Sequence, residues 1–274
     1  MAVVGFYVHP ERPEAKVVAE RAGAWLTAHG HRSTTAVRPD GTLDVGDADL
    51  LVSLGGDGTL LRAVDLAVPV GVPVLGVNLG RLGYLTLEEP DGLEAALARF
   101  LAGDFEVEER MTMAVTVRDP DGAECARGTA LNEASVEKTV PGHTVRISAS
   151  VDGRPFVTYA ADGLVVATPT GSTAYNLSAR GPILSPRLRA MVLTAVSPHM
   201  LFDRPLVLHP SERVGLTIEE PRPAVLAVDG LTVCRVEPGS VVECREGERP
   251  ARLVTFGARD FHAILRAKFH LADR

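Results

Sequence analysis

With 274 residues, 46% hydrophobic and 23% charged, the chain can build one large domain or two medium ones, and it is not a disordered polymer. A formal net charge of −7 with scattered arginines excludes the basic face that duplex nucleic acid requires. Cys125, Cys234 and Cys244 are odd in number and form no CxxC pair, which argues against a disulfide framework or zinc site and for a reducing cytoplasm. No apolar run is long enough to span a bilayer, so no membrane role is expected.

Along the first hundred residues, strand and helix patterns alternate. Val3 to Val8 reads as a strand, and Ala15 to Leu26 as a helix with Val17, Val18, Ala22, Trp25 and Leu26 near one face. Asp49 to Leu54 reads as a buried strand, Thr59 to Leu66 as a helix, Pro73 to Val77 as a strand and Gly92 to Leu101 as a helix. Such alternation predicts a parallel sheet covered by helices, with ligands at the carboxyl ends of the strands. From Phe105 to about Phe256 the pattern becomes short β-rich runs, among them Met113 to Val117, Val145 to Val151, Phe156 to Tyr159, Leu164 to Ala167, Met191 to Val196, Val225 to Val228 and Val241 to Cys244. Asp121-Gly122, Asp152-Gly153 and Asp229-Gly230 mark turns. Helical spacing returns at Phe261 to Phe269. The expected division is an α/β domain over residues 1–104, a mostly β domain over 105–256, and a C-terminal segment, 257–274, that packs back on the first.

Four segments carry chemistry. Gly55-Gly56-Asp57-Gly58-Thr59 follows an apolar strand and opens a helix, where backbone N–H groups face a phosphate and glycines admit a close ligand. Asp57 sets a carboxylate beside that place. It suits general-base work on a hydroxyl, contact through magnesium, or simply capping of the helix near Thr59. Neither G-x-x-x-x-G-K-[ST] nor a G-x-G-x-x-G after the first strand is present, which weakens a P-loop ATPase or an ordinary dehydrogenase. Asn78-Leu79-Gly80-Arg81-Leu82-Gly83-Tyr84-Leu85 ends the next strand, with Gly80 and Gly83 opening the backbone and Tyr84 offering a ring. Asn132-Glu133 pairs an amide with a carboxylate, suited to a base or sugar, although a surface turn explains it as well. In the run from Asp162 to Ser178, a buried strand leads into four hydroxyls in six residues, of which Thr170, Ser172 and Thr173 can meet phosphate or ribose oxygens, with Tyr175 placed to stack on a base. Capping explains one of these hydroxyls better than it explains four. Glutamine is absent, and the three asparagines, Asn78, Asn132 and Asn176, all fall inside these segments.

GGDGT at 55–59, NLGRLGYL at 78–85, NE at 132–133 and DGLVVATPTGSTAYNLSARGPILSP at 162–186 together resemble the NAD kinase family in order and spacing, over nearly the whole chain. GGDGT alone is shared with diacylglycerol and sphingosine kinases; the long last segment is far more specific. The resemblance implies an α/β nucleotide domain, a β-rich second domain, a tail rejoining the first, and a site between the domains. It also implies transfer of a terminal phosphoryl group from ATP or polyphosphate, a divalent metal, usually Mg2+, and a homodimer or homotetramer. Carried over by position, Asp57 becomes the general base for the 2′-hydroxyl of the adenosine ribose. Gly55, Gly56, Gly58 and Thr59 form the phosphate loop, and Arg62 is a phosphate contact. Tyr84, Asn132, Glu133, His143, Asp162, Thr170 and the stretch Thr173, Ala174, Tyr175, Asn176, Leu177, Ser178 resemble dinucleotide contacts. Two positions depart from the pattern. Ala160 stands where some members have arginine or lysine, which points to relaxed discrimination between NAD and NADH, and Leu231 stands where many have glutamine. A lipid kinase sharing GGDGT and a non-catalytic dinucleotide sensor are the alternatives, the first failing to explain TPTGSTAY and the second the presence of Asp57.

Overall fold

The computed structural model describes residues 1–9, 11–36, 45–80, 83–86, 88–257 and 260–271; Arg81 and Leu82 of the NLGRLGYL segment lie outside them. In chain order the elements are β1 (Val3–Val8), α1 (Pro13–Ala28), β2 (Arg32–Thr35), β3 (Leu50–Gly55), α2 (Asp57–Ala67), β4 (Val74–Asn78), α3 (Leu93–Leu101) and β5 (Glu106–Arg110). Then come β6 (Met113–Arg118), β7 (Glu124–Ala130), β8 (Glu133–Lys138), β9 (Val145–Val151), β10 (Arg154–Ala161), β11 (Gly163–Ala167) and α4 (Tyr175–Ser178). The chain continues through β12 (Met191–Val196), β13 (Leu206–Leu208), β14 (Val214–Ile218), β15 (Ala224–Val228), β16 (Leu231–Val236), β17 (Val241–Glu246), β18 (Ala251–Thr255) and α5 (Phe261–Lys268). These fall into two compact units, Met1–Glu109 with Ala251–Arg274, and Arg110–Pro250.

The first unit is built on a sheet ordered β2-β1-β3-β4-β18-β5. Its central strand, β3, is buried at every residue, so its side chains are apolar in a continuous run rather than alternating. β1, β3 and β4 pair in parallel, bringing Val8, Gly55 and Asn78 to one edge of the sheet. α1 buries Ala15, Val18, Ala22 and Leu26 at helical spacing. Val17, expected on that face, is instead 64% exposed, because it lies one residue off the buried stripe. β5 and β18 come from the stretch whose sequence reads as β-rich, yet both are strands of this first sheet. Leu253 of β18 pairs in parallel with Val74, and the Arg252 guanidinium donates to the Gly71 carbonyl at 2.9 Å.

The second unit is two six-stranded sheets, β10-β9-β14-β17-β6-β7 and β13-β12-β11-β8-β15-β16. Alternate residues of both sheets, such as Met113, Val115, Ile147 and Leu216 from one and Val136, Leu164, Leu193 and Leu226 from the other, share one apolar core. Period-2 alternation then fixes what the opposite face of the second sheet carries. On β8, Ala134 and Val136 enter the core, so Glu133, Ser135 and Glu137 point the other way. On β12, Leu193 enters the core and Thr194 points away. The segment 168–184 covers that second face.

Candidate functional site

In the first unit, Gly56 is the N-cap of α2 and Asp57 its first residue, and no side chain caps the helix. Asp57 therefore does not perform the capping that its position allows. Its carboxylate turns to the loop after β4 instead. Oδ2 accepts from the Tyr84 N–H at 2.6 Å, and Oδ1 accepts from the N–H groups of Leu85 and Thr86 at 3.0 and 3.1 Å and from the Thr86 hydroxyl at 3.3 Å. A carboxylate offers about four lone-pair sites, two on each oxygen. Oδ1 is fully engaged, whereas Oδ2 keeps one site for a further donor.

The glycines around it divide by purpose. A Cβ at Gly55 would overlap the Thr59 side chain, and one at Gly83 would overlap the Asp57 carboxylate and the Thr86 hydroxyl. Both are required by packing. A Cβ at Gly56 or Gly58 would meet nothing within 4 Å, so those two leave open space at the head of α2, where unpaired N–H groups and the helix dipole favour an anion. Gly80, expected only to open the backbone, faces the guanidinium of Arg12, which itself donates to the Leu79 carbonyl at 2.5 Å. Asn78 closes a local turn, accepting from the Gly80 N–H and donating to the Gly80 carbonyl, each at 3.1 Å. Arg62, one turn into α2, interacts with Tyr7 and Asp65, whose hydroxyl and carboxyl are held above their usual values chiefly by burial. Burial likewise raises Tyr84, helped by the charge of Asp57, and the Lys268 ammonium of α5 lies 4.9 Å from the Tyr84 ring centroid.

In the second unit, Asn132 and Glu133 stand where the chain leaves β7 of one sheet and enters β8 of the other. Glu133 is 7% exposed, and its Oε2 has no hydrogen-bond partner. Burial, with the charge of Asp229 beside it, raises its carboxyl to about 7 against a partly compensating Tyr175 N–H. Farther along the same face, the Tyr175 hydroxyl donates to Glu137 Oε2 at 3.0 Å, and Ser135 donates to Glu137 Oε1 at 2.7 Å. Burial and the charge of Glu137 push the Tyr175 hydroxyl up to about 12. Lys138 pairs with Asp162 at 2.6 Å. The structure thus brings Glu133, Glu137 and Asp162 close enough for the charge of each to act on the Tyr175 hydroxyl.

Several other expected contacts have structural duties here. Asn176 is fully buried; it donates to the Ser172 and Pro182 carbonyls and accepts from the Thr194 hydroxyl at 2.7 Å. Ser172 donates to Pro169 and accepts from the Leu184 N–H, and the Thr173 hydroxyl donates back to Thr170 at 3.4 Å. Thr170 accepts from the Arg110 guanidinium at 3.4 Å. The hydroxyl-rich run therefore satisfies its own buried turn, while Thr173, Ala174, Tyr175 and Leu177 remain half-buried and Ser178 exposed. His143 is exposed in the turn between β8 and β9, Ala160 is half-buried on β10 with its carbonyl accepting from the His199 N–H at 2.7 Å, and Leu231 is 52% exposed at the start of β16. Two residues outside the expected set, Thr86 and Asp229, hold these segments in shape, together with Thr168. Only Asp229 left a signal, and the Asp-Gly dipeptide signals a turn rather than its partners.

Among the described residues, no group of three or more His, Cys, Asp or Glu side chains is arranged to hold a metal ion, and no helix is long and apolar enough to cross a membrane.

Comparison with known proteins bears on what these residues do together. Residues 40–105 match the ATP-NAD kinase N-terminal domain, and residues 131–256 match the ATP-NAD kinase C-terminal domain. The chain is 43% identical to an NAD kinase of Heliobacterium modesticaldum over 98% of both chains. It is 44% identical to one of Corynebacterium glutamicum over 82% of this chain and 77% of that one. Among solved structures, an NAD kinase from Archaeoglobus fulgidus in complex with ATP superposes with a TM-score of 0.76 at 26% identity, covering 98% of each chain. Yeast NADH kinase complexed with NADH shares the fold, with a TM-score of 0.87 at 24% identity over all of this chain and 89% of that one.

Proposed function

Because this chain belongs to the NAD kinase family, we propose that it phosphorylates the 2′-hydroxyl of the adenosine ribose of NAD, with ATP as donor, to make NADP. Support comes from the whole-length likeness to the Heliobacterium modesticaldum NAD kinase and from the ATP complex of the Archaeoglobus fulgidus relative. The observation that carries the chemistry is the carboxylate of Asp57 at the open head of α2, with one lone-pair site left on Oδ2.

In that role Oδ2 accepts the proton of the 2′-hydroxyl. The ribose oxygen forms its bond to the terminal phosphorus as the bond to the bridging oxygen breaks, and ADP departs. The amides of 84–86 hold the carboxylate in one rotamer, so little reorganisation is needed at the moment of transfer. The N–H groups beside Gly56 and Gly58, with Arg62, balance phosphate charge. Asn132, Glu133, Asp162 and Tyr175 contact the dinucleotide. A divalent metal, Mg2+, would accompany the nucleotide and supply charge neutralisation at its phosphates. Inorganic polyphosphate is a second candidate donor. The three free thiols suit a reducing, cytoplasmic compartment, and a homodimer or homotetramer accompanies this assignment.

Purified protein supplied with NAD and magnesium ATP is expected to yield NADP, detected with an NADP-specific dehydrogenase. Asp57→Asn, which keeps shape but cannot take the proton, is expected to lower turnover by roughly 10²- to 10⁴-fold. No NADP from folded wild type, with inorganic polyphosphate also tried, would overturn the proposal. An active Asp57→Asn would keep the function and remove Asp57 as the base. The lipid-kinase alternative loses its footing because the family match includes residues 131–256, far beyond the shared GGDGT loop.

A further inference from the structure

At the start of β8 the chain passes from one sheet to the other, and Leu131, Asn132 and Glu133 present three successive N–H groups to the same place. All three meet one side chain. Asp229 Oδ2 accepts from Leu131 at 2.8 Å, and Oδ1 accepts from Asn132 at 2.8 Å and Glu133 at 3.1 Å. The Asp229 N–H donates back to the Glu133 carbonyl at 2.9 Å. Asp229 is 7% exposed and is the first central residue of the turn joining β15 to β16, with φ of 47° followed by 75° at Gly230. The opposite side of the Asn132 corner is fixed as well. The Thr168 hydroxyl donates to the Leu131 carbonyl at 2.5 Å, the Thr168 N–H donates to the Asn132 carbonyl at 2.8 Å, and a Cβ at Gly171 would overlap that carbonyl.

We infer that Asp229 is a positioning residue of the dinucleotide site: its carboxylate folds the Leu131–Glu133 backbone into the one conformation that presents the side chains of Asn132 and Glu133 to the substrate. This rests on the assignment of Asn132 and Glu133 as substrate contacts. The residue type supports it. Two successive positive φ values make a turn in which Asn-Gly serves as well as Asp-Gly, so turn formation alone does not demand a carboxylate. Three converging N–H groups do, because an amide at 229 offers one acceptor oxygen and turns N–H against N–H at the other.

Asp229→Asn is therefore a selective probe, keeping the turn and withdrawing the acceptors. Losing one or two buried backbone partners, about 1–3 kcal/mol, corresponds to a rise in the KM for NAD of roughly five- to a hundredfold, with the KM for ATP unchanged within twofold. A second readout separates positioning from bulk stability. The charge of Asp229 helps raise Glu133, so any inflection that Glu133 confers on the pH dependence of the KM for NAD should move to lower pH in the variant. Among the described residues, the charges of Glu133, Glu137 and Asp162 all act on the Tyr175 hydroxyl, and Lys138 pairs with Asp162; these groups are unchanged in the variant. Asp229→Gly, which accepts the left-handed turn and removes every acceptor, is measured beside it. An unchanged KM for NAD with an unmoved inflection overturns the inference. Loss of the cooperative melt in both variants also overturns it, assigning Asp229 to the fold alone. Absence of NADP from the wild type would remove the underlying function itself, a failure distinguishable from either.

Discussion

Asp57 in the first unit and Glu133 in the second are carboxylates in opposite surroundings. Asp57 is half-buried and accepts from three backbone N–H groups and one hydroxyl, so its charge is matched by donors fixed in place. Glu133 is nearly sealed from water, lies beside the negative Asp229, and leaves one oxygen without a partner, so its charge is opposed and its carboxyl rises to about 7. One environment holds a carboxylate in a fixed orientation. The other makes a group that changes charge near neutrality. The difference lies wholly in what surrounds the two side chains, since their chemistry is the same.

The largest test of this contrast is on the stability of the second unit. Glu133 stays protonated in the fold until about pH 7, whereas an ordinary glutamate ionises near 4.5. Its contribution is therefore complete below the lower value and is lost as pH rises through the higher one. That loss is about 3 kcal/mol between pH 5 and pH 8 as an upper figure. Urea melts at the two pH values should show this loss in the wild type and a much smaller one in Glu133→Gln; equal losses would show that Glu133 is not the opposed group. Next in size is Gly83→Ala, whose Cβ would displace the Asp57 carboxylate or the Thr86 hydroxyl. Turnover should fall about a hundredfold, because misplacement by an ångström suffices for such a loss, and the overlap should lower stability by about 1–3 kcal/mol. Wild-type turnover would show that the carboxylate needs no fixed seat. The smallest effect is expected for Thr194→Val, which keeps shape but withdraws the 2.7 Å donor from the buried Asn176 carbonyl. A loss of about 1–2 kcal/mol in urea unfolding would follow from the unsatisfied acceptor. No loss would mean that the Thr194 hydroxyl contributes nothing to holding Asn176.

How far each region could be read from the sequence follows from how local its determinants are. The turn from β3 into α2 is encoded over a few residues by an apolar run and three glycines, and it stands where the pattern puts it. α5 spans Phe261–Lys268, close to its expected range. By contrast β8, which carries Asn132-Glu133 at its start, reads as little more than a surface turn. Its charged residues face a polar layer made by other segments, and no local pattern announces that layer. β5 and β18 read as part of the β-rich stretch because short strands look alike wherever they pair, yet both join the first sheet.

What the sequence by itself determined was the alternation of elements, the glycine loop that opens α2, and the set of motifs whose order resembles NAD kinases, because each depends on neighbours within one or two turns of chain. What only the tertiary structure decided was how each polar side chain is used. Asp57 meets amides some 27 residues away, Asp229 meets N–H groups some 97 residues away, and Asn176 proves to be a buried brace, since hydrogen bonds of such separation exist only once the sheets have assembled.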